Sequence, residues 1–316
     1  MPISEFSIIE RFAQRVSNPR PDVRLGIGDD GAVVTVPAGM ELVVSMDTIV
    51  EGVHFLPGTE PRLLGYKALA VNLSDLAAMG AEPAWATMAL TLPESDTQWI
   101  EEFADGFFSL ADRYSVALIG GDITQGPLTV TVQVHGFVPM GAALQRAGAK
   151  VEDHIAVTGT LGDAGMGLQM AKNQVSPVSD DNRYVINRWQ CPEPRIGTGV
   201  ALRGIASSCI DVSDGLLGDL GHVLNISGVG ASIIVDKIPL SDAFKRLSER
   251  PHTHDKEDLY RLPLTAGDDY ELCFTVPDAA RARLAKALDL VGVQYTIIGR
   301  IRQGSGVSCV RNNGEA

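Results

Sequence analysis

Apolar residues alternate with polar ones, at high β-branched density, over residues 32–36, 41–46, 84–91, 116–119 and 128–138, and each stretch predicts a strand. Two helical patterns lie among them. Residues 61–79 are apolar nearly all round, which predicts a buried helix. Residues 97–114 put Trp99, Phe103, Phe107, Leu110 and Tyr114 on one face, and Ser95 and Gln98 have the spacing of a capping box. After Pro139 the chain turns small and loop-like through 141–148, and a second cycle begins. Strands are predicted there at 154–158, 207–212, 231–235, 272–276 and 295–301, and helices at 165–173, 216–227 and 278–291. Residues 248–259, with His252 and His254, are polar and predict an exposed excursion.

Strands mixed with helices in both halves predict two domains of α+β or α/β type. The length of 316 residues agrees with two. The boundary falls near residues 140–150, which assigns 1–145 to the first domain and 146–316 to the second. Gly-Asp-Asp and Ser-Asp elements recur in both halves but are too short to establish a repeat.

Composition narrows the partners. With 39 acidic against 26 basic residues the net charge is −13, which argues against nucleic acid or an anionic membrane surface. Nucleotides stay open, because bound metal inverts the local field. The four cysteines, Cys191, Cys209, Cys273 and Cys309, have no C-x-x-C spacing, so neither a disulfide framework nor a zinc site is expected. No apolar run is long enough to span a bilayer and no secretory signal is visible, so a cytoplasmic protein is expected.

Six short acidic segments carry the candidate chemistry: Gly28-Asp29-Asp30-Gly31, Ser45-Met46-Asp47, Asn72-Leu73-Ser74-Asp75, Gly120-Gly121-Asp122, Asp211-Val212-Ser213-Asp214 and Gly267-Asp268-Asp269-Tyr270-Glu271. Most border an apolar run or a glycine. A buried carboxylate needs a partner, since leaving it unpaired costs several kcal/mol. Few lysines or arginines stand beside these segments, so hard divalent cations are the expected partners, and through them an anionic substrate.

Single motifs read less decisively. Gly26-x-Gly28-x-x-Gly31 has the dinucleotide spacing but precedes a strand instead of following one, so it reads as a metal loop or a plain turn. Asp47 and Asp122 each leave a buried strand, where a sheet can aim them. Asp75 sits inside an apolar helix with Asn72 on the same face. Ser213 or Asp214 serves as a helix cap, as a ligand or as both. Gly159–Gly165 would present backbone amides to a phosphate or simply pack helix on strand. His54 lies in a loop, and His252 and His254 read as surface.

Taken in order, these segments resemble those of the thiamine-monophosphate kinase family, within the aminoimidazole-ribonucleotide-synthetase-like superfamily. Gly26-Ile27-Gly28-Asp29-Asp30, the run from Lys67 to Gly80, Ile119-Gly120-Gly121-Asp122, Val157-Thr158-Gly159 and Asp269-Tyr270-Glu271-Leu272 carry the likeness, which spans nearly the whole chain. It implies ATP-dependent phosphorylation of thiamine monophosphate to thiamine diphosphate, several Mg²⁺ ions and a homodimer. It also implies an N-terminal ATP- and Mg-binding domain whose mixed sheet and helices form a dimer-type barrel, with a C-terminal α/β domain. By matching position, Asp30, Ser45, Met46, Asp47, Asp75, Asp122, Asp211 and Asp214 are implied metal ligands, Met46 through its backbone carbonyl alone. Gly121, Asp122, Arg146 and Ser213 are implied ATP contacts, and His54 and Asp268 are implied substrate contacts. Asp268 stands where a glutamate is commoner in the family. The aromatic tail the resemblance implies near the thiamine does not appear in Asn313-Gly314-Glu315-Ala316, and two readings stay open: weaker substrate affinity, or a tail that has been lost.

Chemistry agrees with that reading. The acceptor is a phosphate oxygen already largely ionised near neutral pH, so no general base is required, and the acidic segments offer none. Two alternatives stay open: an aminoimidazole-ribonucleotide-synthetase-type ATP-dependent ligase, and a non-catalytic divalent-cation-binding dimer.

Overall fold

A computed structural model describes residues 5–16, 20–249 and 259–311, in two compact units. Unit 1 comprises residues 1–76 and 81–141, and unit 2 residues 77–80 and 142–316. His252, His254 and the four C-terminal residues named above lie outside the described residues. Among the described residues no helix is long and apolar enough to cross a membrane.

In unit 1, β3 (Met40–Val50), β4 (Glu82–Leu92), β5 (Ala117–Gln125) and β6 (Thr129–Pro139) make one sheet in the order β3-β6-β4-β5. Its pairs are antiparallel except β4 with β5. One face buries Val130, Val132 and Val134 together with Ala86, Met88 and Leu90. Unit 1 also contains the helices α1 (Glu5–Arg15), α2 (Pro61–Ala78, its last two residues counted with unit 2) and α3 (Thr97–Arg113). Helix α2 is nearly all apolar and accordingly buried, as its pattern predicts. The cap of α3 differs from expectation: Asp96, not Ser95, accepts the Gln98 amide at 2.9 Å. At one end of the other sheet face, the two-stranded sheet of β1 (Val23–Leu25) and β2 (Val33–Val34) brings Val23 and Val34 against Trp85 and Phe137.

The expected barrel does not form. The four-stranded sheet is open, ending at β3 and β5, and β1 with β2 forms a separate sheet instead of extending it. Four strands are too few to close around a filled interior.

Unit 2 is built on a six-stranded sheet of order β12-β9-β11-β7-β10-β8, from β7 (His154–Thr158), β8 (Ser208–Asp211), β9 (Gly230–Ile234), β10 (Leu272–Val276), β11 (Tyr295–Arg302) and β12 (Val307–Val310). Only β12 with β9 is parallel. The expected α/β domain is therefore mainly antiparallel, because β10 runs back between β7 and β8 and pairs with both. Helices α4 (Asp163–Lys172), α5 (Asp180–Gln190) and α6 (Ile196–Leu202) lie between β7 and β8 in the chain. They are followed by α7 (Leu216–Ser227), α8 (Asp242–Ser248), α9 (Arg261–Thr265) and α10 (Arg281–Leu290). Ile210, Val212, Leu216, Leu220, Val223, Ile233 and Ile298 belong to one buried cluster joining α7 to the sheet.

Candidate active site

Unit 1 gathers its predicted ligands in two places. On the first, β3 carries Ser45, Met46 and Asp47 while α2 carries Asn72 and Asp75. The buried Asn72 donates to the Ala68 carbonyl at 2.9 Å and accepts the Asp47 amide at 2.9 Å, tying strand to helix. Beside it the Ser45 hydroxyl donates to an Asp75 carboxylate oxygen at 2.5 Å. The Met46 side chain is 60% exposed and chemically soft, which leaves its carbonyl as the hard donor.

The second place is a cleft of about 510 Å³ whose lining includes Asp29, Asp30, Gly121 and Asp122, with Ile9 and Phe12 of α1 on its apolar side. Gly121 pairs with Met88 across β4 and β5, and a Cβ there would stand 1.9 Å from the Met88 carbonyl oxygen. Only glycine fits. Asp47 shares its row of the sheet with Val132, Met88 and Gly121, the residue before Asp122.

His54 closes the turn after β3. Its Nδ1 accepts the Val50 amide at 3.1 Å, so a neutral ring carries its proton on Nε2 and offers a donor there.

In unit 2 the last two acidic segments zip together. The Val212 amide donates to the Glu271 carbonyl at 2.8 Å, Tyr270 to Val212 at 2.9 Å and Asp268 to Ser213 at 2.9 Å. A Cβ on Gly267 would meet the Ser213 carbonyl oxygen at 2.1 Å, so glycine is needed for this approach. Asp268 and Tyr270 flank Asp269 in left-handed backbone conformations, φ 68° and 50°, which non-glycine residues adopt rarely and at a cost. The Tyr270 hydroxyl donates to the Asp268 carboxylate at 3.2 Å. Ser213, Asp214 and Asp268 are thus held in one place, with Asp211 buried at the end of β8. Arg146 is exposed in the segment before β7, next to Gln145, whose carbonyl accepts the Cys209 amide at 2.9 Å.

The acids after Asp268 do not await a metal. Buried Glu271 accepts from Arg195 Nε at 2.7 Å and Nη2 at 2.6 Å, from Arg188 Nη2 at 2.9 Å and from the Thr158 hydroxyl at 2.6 Å. Burial alone would raise its pKa; the two guanidinium groups and the hydroxyl overcome that and lower it. The expectation that these segments lack basic partners is corrected here. Asp269 accepts the Gly162 amide at 2.6 Å and the Ala164 amide at 3.2 Å, and burial pushes its pKa up to about 7. The amides at the start of α4, expected as one reading to cradle a phosphate, are therefore taken by a side chain of the chain itself. Asp163 likewise binds the hydroxyls of Thr160 and Ser241, each at 2.6 Å.

Two family models match: "AIR synthase related protein, N-terminal domain" over residues 28–138 and "AIR synthase related protein, C-terminal domain" over residues 150–312. The thiamine-monophosphate kinase of Salmonella typhimurium is 51% identical over 302 residues, covering 95% of this chain and 91% of the relative. The chain belongs to the thiamine-monophosphate kinase family. The crystal structure of the thiamine-monophosphate kinase from Stenotrophomonas maltophilia K279a superposes with a TM-score of 0.89 at 44% identity, covering 100% of this chain and 98% of that one. A solved structure of AaThiL complexed with AMPPCP and TMP gives 0.79 at 31% identity, covering 96% and 93%.

The implied donor set fits Mg²⁺ in kind, being wholly oxygen, with Ser45 and Asp75 already in contact. Among the described residues no three His, Cys, Asp or Glu side chains form a ready cage. Sequence reasoning missed Asp219 and the anchoring role of Asp269. Asp219 lies four residues beyond Gly215, within the first turn of a predicted helix, and that placement was the available signal.

Proposed function

We propose that this chain transfers the terminal phosphoryl group of ATP directly to the phosphate of thiamine monophosphate, giving thiamine diphosphate and ADP. The observation that carries the reading is the retention of oxygen donors at each implied ligand position, in a chain 51% identical to a thiamine-monophosphate kinase. The complex of AaThiL with AMPPCP and TMP supports the same pair of substrates.

Asp30, Ser45, Asp47, Asp75, Asp122, Asp211 and Asp214, with the Met46 carbonyl, would hold several Mg²⁺ ions. When bound, these ions neutralise the phosphate charges that repel donor from acceptor. Gly121 lets β5 approach β4, where a Cβ would meet the Met88 carbonyl oxygen, and lines the cleft proposed for the nucleotide. Ser213 and Arg146 supply a hydroxyl and a cation for its phosphates. The Nε2 proton of His54 and the carboxylate of Asp268 orient the acceptor. No side chain has to remove a proton, since the attacking phosphate oxygen is ionised near neutral pH. Transfer breaks the bond between the bridging oxygen and the γ-phosphorus and forms one from the acceptor oxygen to that phosphorus.

A homodimer is part of the proposal. β3 is an edge strand whose Leu42, Val44 and Met46, 41%, 48% and 60% exposed, alternate onto one face. An apolar stripe of this kind on a sheet edge calls for a cover, and a second copy would supply it. The functional reading is tested by equilibrium binding of ATP with and without Mg²⁺. A kinase of this kind gains nucleotide affinity from the ion; a mere cation binder gains none.

A further inference from the structure

Three successive backbone amides in unit 2 point at a single atom. Those of Ser213, Asp214 and Gly215 donate to Asp219 Oδ2 at 3.0, 3.1 and 3.1 Å. Asp219 is 3% exposed, in the first turn of α7, and reaches back over the helix start. The same loop is gripped from its other side, where the Ser213 carbonyl accepts the Asp268 amide at 2.9 Å. With its amides committed, what the loop presents to a phosphate is its side chains: the Ser213 hydroxyl, half-buried, and the Asp214 carboxylate, exposed.

From this we infer that Asp219 is a positioning residue for the nucleotide and metal contacts of Ser213 and Asp214. The inference rests on the ligand roles proposed above for those two. It has two parts. Asp219 removes the loop amides from reach of a phosphate, so nucleotide meets Ser213 through its hydroxyl. It also fixes the backbone from which Asp214 projects, so the carboxylate is aimed before any ion arrives. A helix cap alone would need neither the three-fold bond nor the second grip by Asp268; capping accounts for the stability of α7 and is silent on ligand affinity.

The test begins with the unaltered full chain. Amide exchange at 213–215 should be slow although the loop reaches the surface; exchange at unfolded-chain rates would overturn the proposal outright. In Asp219→Asn, which keeps the shape but weakens the acceptor, those amides should exchange about tenfold faster or more. KM for ATP and the Mg²⁺ concentration for half-maximal rate should rise about 10- to 100-fold, with KM for thiamine monophosphate held within about twofold. Asp219→Leu should be worse than Asp219→Asn in the same order. Faster exchange with unchanged ATP and Mg²⁺ dependence would leave Asp219 a helix cap only, and the proposal would fail. Ser213→Ala and Asp214→Asn test the reading underneath. If they leave ATP and Mg²⁺ dependence untouched, the ligand roles fail and the proposal with them, and the exchange rates show that the hold itself was not at fault.

Discussion

The Asp269 carboxylate stands 2.6 Å from the Gly162 amide and fills the start of α4 from within the chain. A helix start of this kind leaves backbone amides seeking an acceptor, and here the acceptor is a side chain of the chain itself. The consequence is a rigid mount for Asp268, the neighbouring residue, which keeps its left-handed conformation because the segment is pinned on both sides.

Asp269 also sets a pH dependence. Its pKa of about 7 stands above the ordinary 3.8, so between these values the folded chain holds a proton that the unfolded chain has released. That contribution to stability is complete below the ordinary value and is lost as pH rises through about 7. Urea midpoints followed from pH 5 to 8 should fall more steeply in the wild type than in Asp269→Asn, which cannot titrate. Parallel pH profiles would contradict the assignment.

Glu271 is the opposite case, a carboxylate whose guanidinium partners need it. Glu271→Ala would take from Arg188 and Arg195, 11% and 20% exposed, the carboxylate they share, and should cost about 3–5 kcal/mol in urea unfolding. Glu271→Gln, which keeps hydrogen-bond acceptors, should cost less. A loss under about 1 kcal/mol for the alanine variant would mean the pair is solvated like a surface bridge.

Asp47→Asn and Asp122→Asn should reduce turnover far more than they alter folding. Each removes a charge that the proposal assigns to metal binding, while asparagine preserves shape. Melting temperature and rate are measured on the same preparation. Near wild-type turnover in saturating Mg²⁺ would remove that residue from the ligand set.

His54→Ala should weaken thiamine monophosphate binding and leave Mg·ATP binding nearly unchanged, the loss being about 1.5–3 kcal/mol for one hydrogen bond to a charged group. Asp268→Glu, which restores the longer reach, should preserve or improve acceptor affinity. Calorimetric titration of each ligand separately reads both. Equal losses for nucleotide and acceptor would signal a collapsed site instead.

Val44→Asp should dissociate the proposed dimer, seen as a fall in mass by sedimentation. If the mass of the wild type is already that of a single chain, the β3 stripe is not a self-association surface.

Local pattern carried much of the fold. Strand β10 (Leu272–Val276) and helix α7 (Leu216–Ser227) fall where alternation and periodicity put them, because each is short, apolar and bounded by turn residues. Helix α5 escaped, its residues being mostly polar, although Ser179 accepting the Asn182 amide is a recognisable start signal. Ser241 capping α8 through the Phe244 amide is another. The acids Ser-Asp and Gly-Asp-Asp were legible as a group, but not how they divide. Arg195 and Arg188 lie 76 and 83 positions from Glu271, and only the folded sheet brings them there. A pairing over that span leaves no local trace, so Glu271 and Asp269 read only as members of an acidic segment until their partners are seen.

The account stands most directly on one assay. The purified chain of 316 residues is incubated with Mg·ATP and thiamine monophosphate, and the products are separated by chromatography. Thiamine diphosphate and ADP should appear in equal amounts, and neither should form when Mg²⁺ is chelated. ADP released without thiamine diphosphate, or no turnover by a folded chain that binds Mg·ATP, would contradict direct transfer to this acceptor.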